Sequence, residues 1–311
     1  MTRSSIHHYH NRMPLQFREY LHPEPTGVPA PAHPGEVALD SLLDQLAERM
    51  WGRSTIALTG AGISTESGIP DYRGPGSASR KRRPVLYSGF VSNTTARKRY
   101  WIRSAAGWPS MRLPRPNPAH LALARMEQAG CVSSVVTQNV DRLHQAAGSS
   151  RVLELHGALA KVRCLVCGSV DPRDSVQRRI TRLNPWWEQH AAELAPDGDA
   201  EIDEARLSRF AVPGCLRCGG ILKPDVVFFG EIVPPERVDS AFRLIHQAQC
   251  LLVLGSSLAV FSGYRFVKHA ASRGMPVFVI NLGATRAAAE TCLHLDGVLG
   301  EVLPRLADRL V

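Results

Sequence analysis

Two cysteine pairs are the residues in this chain whose spacing most directly implies chemistry. Cys164-Leu-Val-Cys167-Gly and Cys215-Leu-Arg-Cys218-Gly-Gly each set two thiols two residues apart, so both can turn toward one ion. The glycine after each second cysteine permits the backbone twist such a knuckle needs. Four thiolates close a tetrahedral zinc site with no position left for water. Cys164, Cys167, Cys215 and Cys218 are therefore read as ligands of a structural metal, with a redox dithiol as the alternative. The interval between the pairs exceeds that of a zinc ribbon, so a helical excursion is expected between them. Cys131, Cys250 and Cys292 are read as core residues, and the odd total of 7 cysteines favours a reducing compartment.

The turn Gly60-Ala61-Gly62 is a second candidate, because successive backbone amides in such a turn can cradle a pyrophosphate. It departs from the dinucleotide fingerprint. Thr65 stands where a third glycine belongs, and the region about 20 residues on is basic where an acidic residue would grip a ribose. The polar continuation from Ser64 to Arg73 argues against hydride transfer. His156 follows an apolar run, and taken alone it reads as a packing or hydrogen-bonding residue. An imidazole can nevertheless serve as a general base near neutral pH.

These residues need elements to hold them. Val37, Leu39, Leu42, Leu43, Leu46 and Met50 recur at helical spacing, and Thr55 to Thr59 is a strand entering the glycine turn. Asn117 and Pro118 cap a helix through Leu121, Leu123 and Met126 that Gly130 closes, and Val132 to Thr137 is the next strand. Apolar runs follow at Val152–Leu155, Val226–Phe229, Cys250–Leu254 and Pro276–Ile280, with helices near 235–248 and 263–273. Alternating strands and helices predict an α/β fold, a mostly parallel sheet covered on both faces, with the cysteine-bearing stretch as a separate small module. The strand ends read Gly60-Ala-Gly62, Gln138-Asn-Val-Asp141, His156-Gly157, Gly255-Ser-Ser257 and Asn281-Leu-Gly283. In an open sheet, ligands bind beyond the carboxyl ends of the strands, so these five tips are expected to converge. The expected organisation is an arm over 1–35, a main α/β domain over 36–160 and 223–311 with an irregular or helical insertion at 74–116, and the zinc module at 161–222.

Composition bounds the function. The chain has 311 residues, 44% hydrophobic and 21% charged, as in an ordinary globular protein, and no apolar run approaches the roughly 20 residues of a membrane span. A net charge of +9 could draw polyanions or acidic substrates. The Arg80-Lys-Arg-Arg83 cluster lies in a Gly/Ser-rich stretch and reads as a solvated loop. His7, His8 and His10 could bind metal but more simply belong to the arm. The start lacks the apolar core of a secretory signal; its arginines and serines hint weakly at a mitochondrial address.

The ordered set Gly60–Arg73, Gln138-Asn-Val-Asp141, Leu155-His-Gly157, the paired cysteines, Pro224-Asp-Val-Val-Phe-Phe-Gly-Glu231, Gly255-Ser-Ser257 and Asn281-Leu-Gly283 resembles the sirtuin signature in sirtuin order, over about residues 36–311. Arg99-Tyr-Trp101, Gly107-Trp-Pro109, Ala195-Pro-Asp-Gly198 and Ser262-Gly-Tyr-Arg-Phe266 are similar to the class II, mitochondrial-type branch. The resemblance implies a Rossmann-like, doubly wound parallel sheet with a smaller zinc-binding module, and the activity of an NAD-dependent protein-lysine deacylase that moves the acyl group to ADP-ribose and releases nicotinamide. NAD is then consumed as co-substrate, one structural zinc is held per chain, and acylated-lysine proteins are the partners.

The same resemblance assigns the residues. His156 and Asn139 are catalytic. Gly60, Ala61, Gly62, Glu66, Ser67, Ile69, Pro70, Asp71, Tyr72, Arg73, Gln138, Asn139, Val140, Asp141, Gly255, Ser256, Ser257, Asn281, Leu282, Gly283 and Leu299 bind NAD. Val226, Val227, Phe228, Phe229, Gly230 and Glu231 offer backbone to the peptide, and Tyr100 and Arg103 have the spacing of a pair that reads acidic acyl groups. Other readings are a mono-ADP-ribosyltransferase on the same NAD site and a non-enzymatic zinc-ribbon nucleic-acid binder. No membrane partner is expected, nucleic acid is disfavoured, and an arginine-rich chain with few lysines fits the cytoplasm better than the mitochondrial matrix.

Overall fold

The structure is a computed structural model that describes residues 36–71, 85–187 and 207–311. The N-terminal arm, Tyr72, Arg73, the cluster at 80–83 and Ala195–Gly198 lie outside the described residues. Six parallel strands make the main sheet in the order β3-β2-β1-β7-β8-β9. They are β1 (Thr55–Thr59), β2 (Val132–Thr137), β3 (Val152–Glu154), β7 (Cys250–Leu254), β8 (Val277–Ile280) and β9 (Leu293–Leu295). The chain leaves from β1 in both directions across the sheet, and β1 pairs with both β2 and β7. That reversal creates a crevice at the carboxyl ends.

Both faces of the sheet are covered, which is why its strands are apolar without alternation. Ala57 turns to one side with Leu43 and Met50 of α1 (Glu36–Met50), Leu123 and Met126 of α4 (Pro118–Gln128), and Leu303 and Leu306 of α9 (Leu299–Leu310). Ile56 and Leu58 turn to the other side with Val238 and Ile245 of α7 (Pro235–Gln247) and Phe266 and Ala270 of α8 (Phe261–Ser272). Each of the larger ones, Leu, Ile, Val, Met or Phe, contributes about 1.5–3 kcal/mol on burial, so these two layers supply the main drive to fold. Helical spacing overreached at Val37 and Leu121, which stand in solvent at 88% and 54% exposure. Cys250 is buried as expected and Cys131 half-buried, whereas Cys292 is exposed and does not belong to the core.

A second sheet, β5-β4-β6, is antiparallel and consists of β4 (Gly157–Cys164), β5 (Val170–Pro172) and β6 (Leu222–Val226). The apolar run Val226–Phe229 is thus not a strand of the parallel sheet. Only Val226 is in β6, and the next residues leave the sheet because Phe228 is needed in a different core. That core joins Trp101, Ile102 and Ala105 of α3 (Thr94–Met111) to Val176 and Ile180 of α6 (Arg173–Leu183), to Cys164 and Cys215, and to Phe90 of α2 (Tyr87–Ser92). The indole N–H of Trp101 donates to the Leu222 carbonyl at 3.2 Å, tying the insertion before the main sheet's second strand to the cysteine-bearing segment.

Candidate active site

Three strand tips meet where β1 lies between β2 and β7. Register places Thr59 beside Thr137 on one side and Leu254 on the other. The backbones beyond them nearly touch: Gly60 N–H donates to Leu254 O at 3.0 Å and Gly62 N–H to Gly255 O at 2.8 Å. A Cβ on Gly60 would stand 2.7 Å from Ser256 Cβ, and one on Gly62 2.9 Å from Gly255 Cα. Gly255 has φ of +60°, and a side chain there would meet the Ile63 amide. Glycine is therefore required by close backbone approach, and the cradle it leaves suits a pyrophosphate. The following 3-10 helix (Ala61–Ser67) carries Glu66, whose carboxylate accepts the Gly300 amide of α9 at 2.7 Å. Ser67 Oγ is buried without a protein partner.

Beyond β2, the side chains of Gln138, Asn139 and Asp141 face this turn. Gln138 Nε2 donates to Ser256 Oγ at 3.0 Å, and Asn139 Nδ2 donates to Gly60 O and Ser64 Oγ, each at 3.1 Å. Ser64 Oγ in turn donates to Asp141 Oδ2 at 2.8 Å, while Oδ1 accepts the Leu143 amide at 2.9 Å. Burial raises the Asp141 pKa, opposed by those donors. Beneath lie two fully enclosed imidazoles. His120 reaches Ser64 Oγ at 3.5 Å, and His144 shares a 2.9 Å contact with Thr59 Oγ1, which donates to Thr137. Burial takes His120 down to about 4, and burial with His120 alongside takes His144 down to about 3, so both are neutral.

His156 follows β3. Its Nδ1 lies 2.9 Å from Gln138 O and its Nε2 2.9 Å from Ser262 Oγ at the start of α8. A carbonyl only accepts, so Nδ1 carries the proton and Nε2 holds the lone pair. Desolvation, with the charges of Arg265 and Arg237, lowers its pKa to about 4 against the bond to Gln138, leaving a neutral imidazole at pH 7. The His156 carbonyl accepts the Val227 amide at 2.9 Å, which fastens the segment after β6 beside it. In that segment the Phe228 amide donates to Glu231 Oε2 at 2.8 Å, Glu231 pairs with buried Lys223 at 3.0 Å, and Phe229 O accepts from Tyr87 N. Several polar groups expected to face a peptide are thus already engaged within the loop, Glu231 among them.

The remaining expected residues fall around this centre. Asn281, after β8, turns its amide onto the Leu282 and Gly283 carbonyls, and Gly283 N–H donates to Asp296. Ser257 O accepts the Arg286 amide at 2.9 Å, and Leu299 opens α9 against Gly255. Ile69 and Val140 pack toward the second core, and Pro70 and Asp71 end the described part of the loop. Tyr100 is buried, its ring 4.8 Å from Phe228 and 5.5 Å from Phe90; Arg103 lies half-buried one turn on.

The four cysteine sulfurs lie within 4.8 Å of one another, with Cys164 and Cys218 at 3.5 Å and Cys167 and Cys215 at 3.7 Å. A tetrahedron with Zn–S of about 2.3 Å needs its sulfurs just under 4 Å apart, so the set fits zinc. Gly168 and Gly219 adopt φ of +72° and +71°, the twist expected after each second cysteine. Amides of Val166 and Cys167 point at Cys164 Sγ, and that of Arg217 at Cys215 Sγ. Such donors stabilise thiolates, and a closed set of four leaves no catalytic position.

Sequence reasoning did not single out His120, His144, Lys223 or Ser262. The Asn117-Pro-x-His120 capping box was a signal, since His120 Nδ1 meets the Asn117 cap. His144 and Lys223 carry no local signature, whereas Ser262 is the first residue of the Ser262-Gly-Tyr-Arg-Phe266 motif, with no role attached to it there.

Among known proteins, the model of the Sir2 family matches residues 60–262. The chain is 48% identical over 257 residues to the bovine (Bos taurus) NAD-dependent protein lipoamidase sirtuin-4, mitochondrial, covering 82% of each chain. It is 51% identical over 251 residues to an NAD-dependent protein deacetylase of Bordetella pertussis, covering 79% of this chain and 92% of that one. A solved structure described as Sir2 with p53 peptide and NAD+ superposes with a TM-score of 0.66 at 30% identity, covering 86% of this chain and 95% of that chain.

Proposed function

This chain belongs to the Sir2, or sirtuin, family, and on that premise we propose how its residues divide the work of an NAD-dependent protein-lysine deacylase. The enzyme is of the deacetylase class: it consumes NAD, and acyl-lysine proteins are its substrates. Cys164, Cys167, Cys215 and Cys218 hold one zinc, which braces the second lobe and takes no part in the chemistry.

NAD lies over the glycine cradle, its pyrophosphate against the backbone of 60–62 and its adenosine half toward Ser256, Asn281 and Leu299. Asn139 and Asp141, braced by Ser64, hold the nicotinamide ribose and carboxamide, a fixed pose that favours loss of nicotinamide. Positive charge then develops at the anomeric carbon, where the acyl oxygen of the lysine attacks to give an alkylimidate. His156 is the general base that lets a ribose hydroxyl attack that imidate. The observation that carries this role is its fixed tautomer: Nδ1–H is held by Gln138 O, so the lone pair is on Nε2. Val226 to Glu231 lines the peptide side, and Tyr100 and Arg103 face the acyl chain. For compartment we favour the cytoplasm, which cell fractionation tests directly.

Mass spectrometry of NAD products against acetyl-, succinyl-, lipoyl- and long-chain acyl-lysine peptides tests the reading. Wild type is expected to release nicotinamide and O-acyl-ADP-ribose with at least one. His156→Ala should lose roughly 10²-fold or more in turnover while keeping one zinc per chain. Absence of nicotinamide release with every peptide would overturn the proposal.

A further inference from the structure

His156 is the base in the reading above, yet both of its ring nitrogens are already occupied within the protein. Nδ1 donates to Gln138 O, and Nε2 is met at 2.9 Å by Ser262 Oγ. With Nδ1 protonated, Nε2 can only accept, so the Ser262 hydroxyl donates its proton to the lone pair that a ribose hydroxyl would have to use. A substrate hydroxyl therefore either displaces Ser262 or passes its proton through it.

The surroundings favour the second course. Ser262 opens α8, and the next residue, Gly263, sits so close to the Gln138 side chain that any Cβ there would collide with it. Gln138 is itself clamped to Ser256 Oγ and to Thr59 O. The start of α8 therefore packs directly against the strand tip that also orients His156, which holds the Ser262 hydroxyl beside the ring. A hydroxyl also suits both protonation states of its neighbour: it donates to neutral imidazole and, after a half-turn about its C–O bond, accepts from imidazolium.

We propose that Ser262 Oγ is a proton relay between the substrate ribose hydroxyl and His156 Nε2. The ribose hydroxyl gives its proton to Ser262 Oγ as its oxygen bonds to the imidate carbon, whose C=N π pair moves onto the lysine nitrogen, and Ser262 passes its own proton to Nε2. Ser262 ends as the neutral hydroxyl it began, and the proton resides on His156, with Nδ1–H still held by Gln138. No oxidant, metal or further reactant is involved. Nothing in this step touches the earlier cleavage of the nicotinamide bond.

This inference rests on the deacylase reading, and its test separates the two. Ser262→Ala and Ser262→Thr are compared with wild type for net deacylation and for nicotinamide exchange into NAD in the presence of acyl-peptide, which reports only the step before His156 acts. Melting temperature and zinc content serve as folding controls. Ser262→Ala should lower the kcat of deacylation about tenfold or more, with exchange retained and the KM values for NAD and peptide within about twofold. Threonine, which keeps the hydroxyl, should restore most of the rate.

Deacylation within twofold of wild type in Ser262→Ala would overturn the relay. So would equal loss of exchange and deacylation, which marks a structural role. A wild-type protein inactive on every acyl-peptide would instead remove the deacylase reading itself.

Discussion

Lys223→Met should unlatch the loop that lies beside His156, and the structure sets the size of the effect. Lys223 is 5% exposed; its Nζ donates to Pro224 O at 3.2 Å and Val226 O at 2.5 Å and pairs with Glu231 at 3.0 Å. It also lies 4.7 Å above the Phe228 ring and 5.9 Å from that of Tyr87, contacts that methionine can largely keep. Breaking a fully enclosed pair costs about 3–5 kcal/mol, because the remaining charge is stranded. Glu231 keeps 19% of its side-chain surface and the Phe228 amide, so about 2–3 kcal/mol is the expected loss. If the loss is local, 2 kcal/mol in ordering Val227 and Phe228 corresponds to roughly a 30-fold rise in peptide KM, with the KM for NAD little changed. The assay pairs steady-state kinetics with a double-mutant cycle in urea using Glu231→Gln. Coupling of at least 1 kcal/mol is expected. Coupling below about 0.5 kcal/mol together with an unchanged peptide KM would show that the loop does not depend on this pair.

Stability should also fall on mild acidification. His120 and His144 have native pKa values of about 4 and about 3 against 6.5 when exposed, so below pH 6.5 the unfolded chain binds protons that the native one refuses. Their contribution is complete above pH 6.5 and is lost progressively as pH falls toward 4, amounting to about 2 kcal/mol per histidine by pH 5. Urea unfolding at pH 7 and pH 5 measures this loss, and His144→Gln should reduce it; an unchanged difference would exclude His144 as a source. Gly157→Ala tests the junction between the two sheets. At φ of +83° an added Cβ would strike the Asp225 carbonyl across the β4–β6 pair. Insoluble protein, or a folded one with deacylation cut more than tenfold, is expected, and near-normal activity would show that β4 can shift.

The fold was legible because its signal is periodic. Apolar runs bounded by glycine and polar residues gave β1, β2, β7 and β8 nearly residue for residue, and Asn117-Pro118 gave the start of α4. The pattern misleads where an apolar run serves something other than the parallel sheet. Val226–Phe229 has a strand's composition, but Phe228 belongs to the aromatic group with Phe90 and Tyr100, and periodicity cannot tell which core a side chain enters. From residue 85 on, the insertion before α4 is largely helical, one of the two forms its Arg, Ser and Pro content left open, and Trp101, Ile102 and Ala105 stabilise that helix by packing against α6 and the cysteine segment.

The residues at the site divide along a similar line. Those whose backbones approach closely were readable, because only glycine tolerates a neighbour 2.7–2.9 Å from its Cβ position, as at Gly60 and Gly62. The cysteines were readable because the ion they hold dictates their spacing. Ser64, His120 and Ser262 reach Asp141, Ser64 and His156, residues brought near only by the fold, and a serine has no residue pattern that announces such a partner. Ser262 and His156 are 106 positions apart, joined because α8 starts against the tip of β2. The chemistry of the base is set at that junction: one carbonyl fixes which nitrogen is free, and one hydroxyl decides what that nitrogen can reach. Motifs locate the base, whereas its proton path depends on where the neighbouring helix begins.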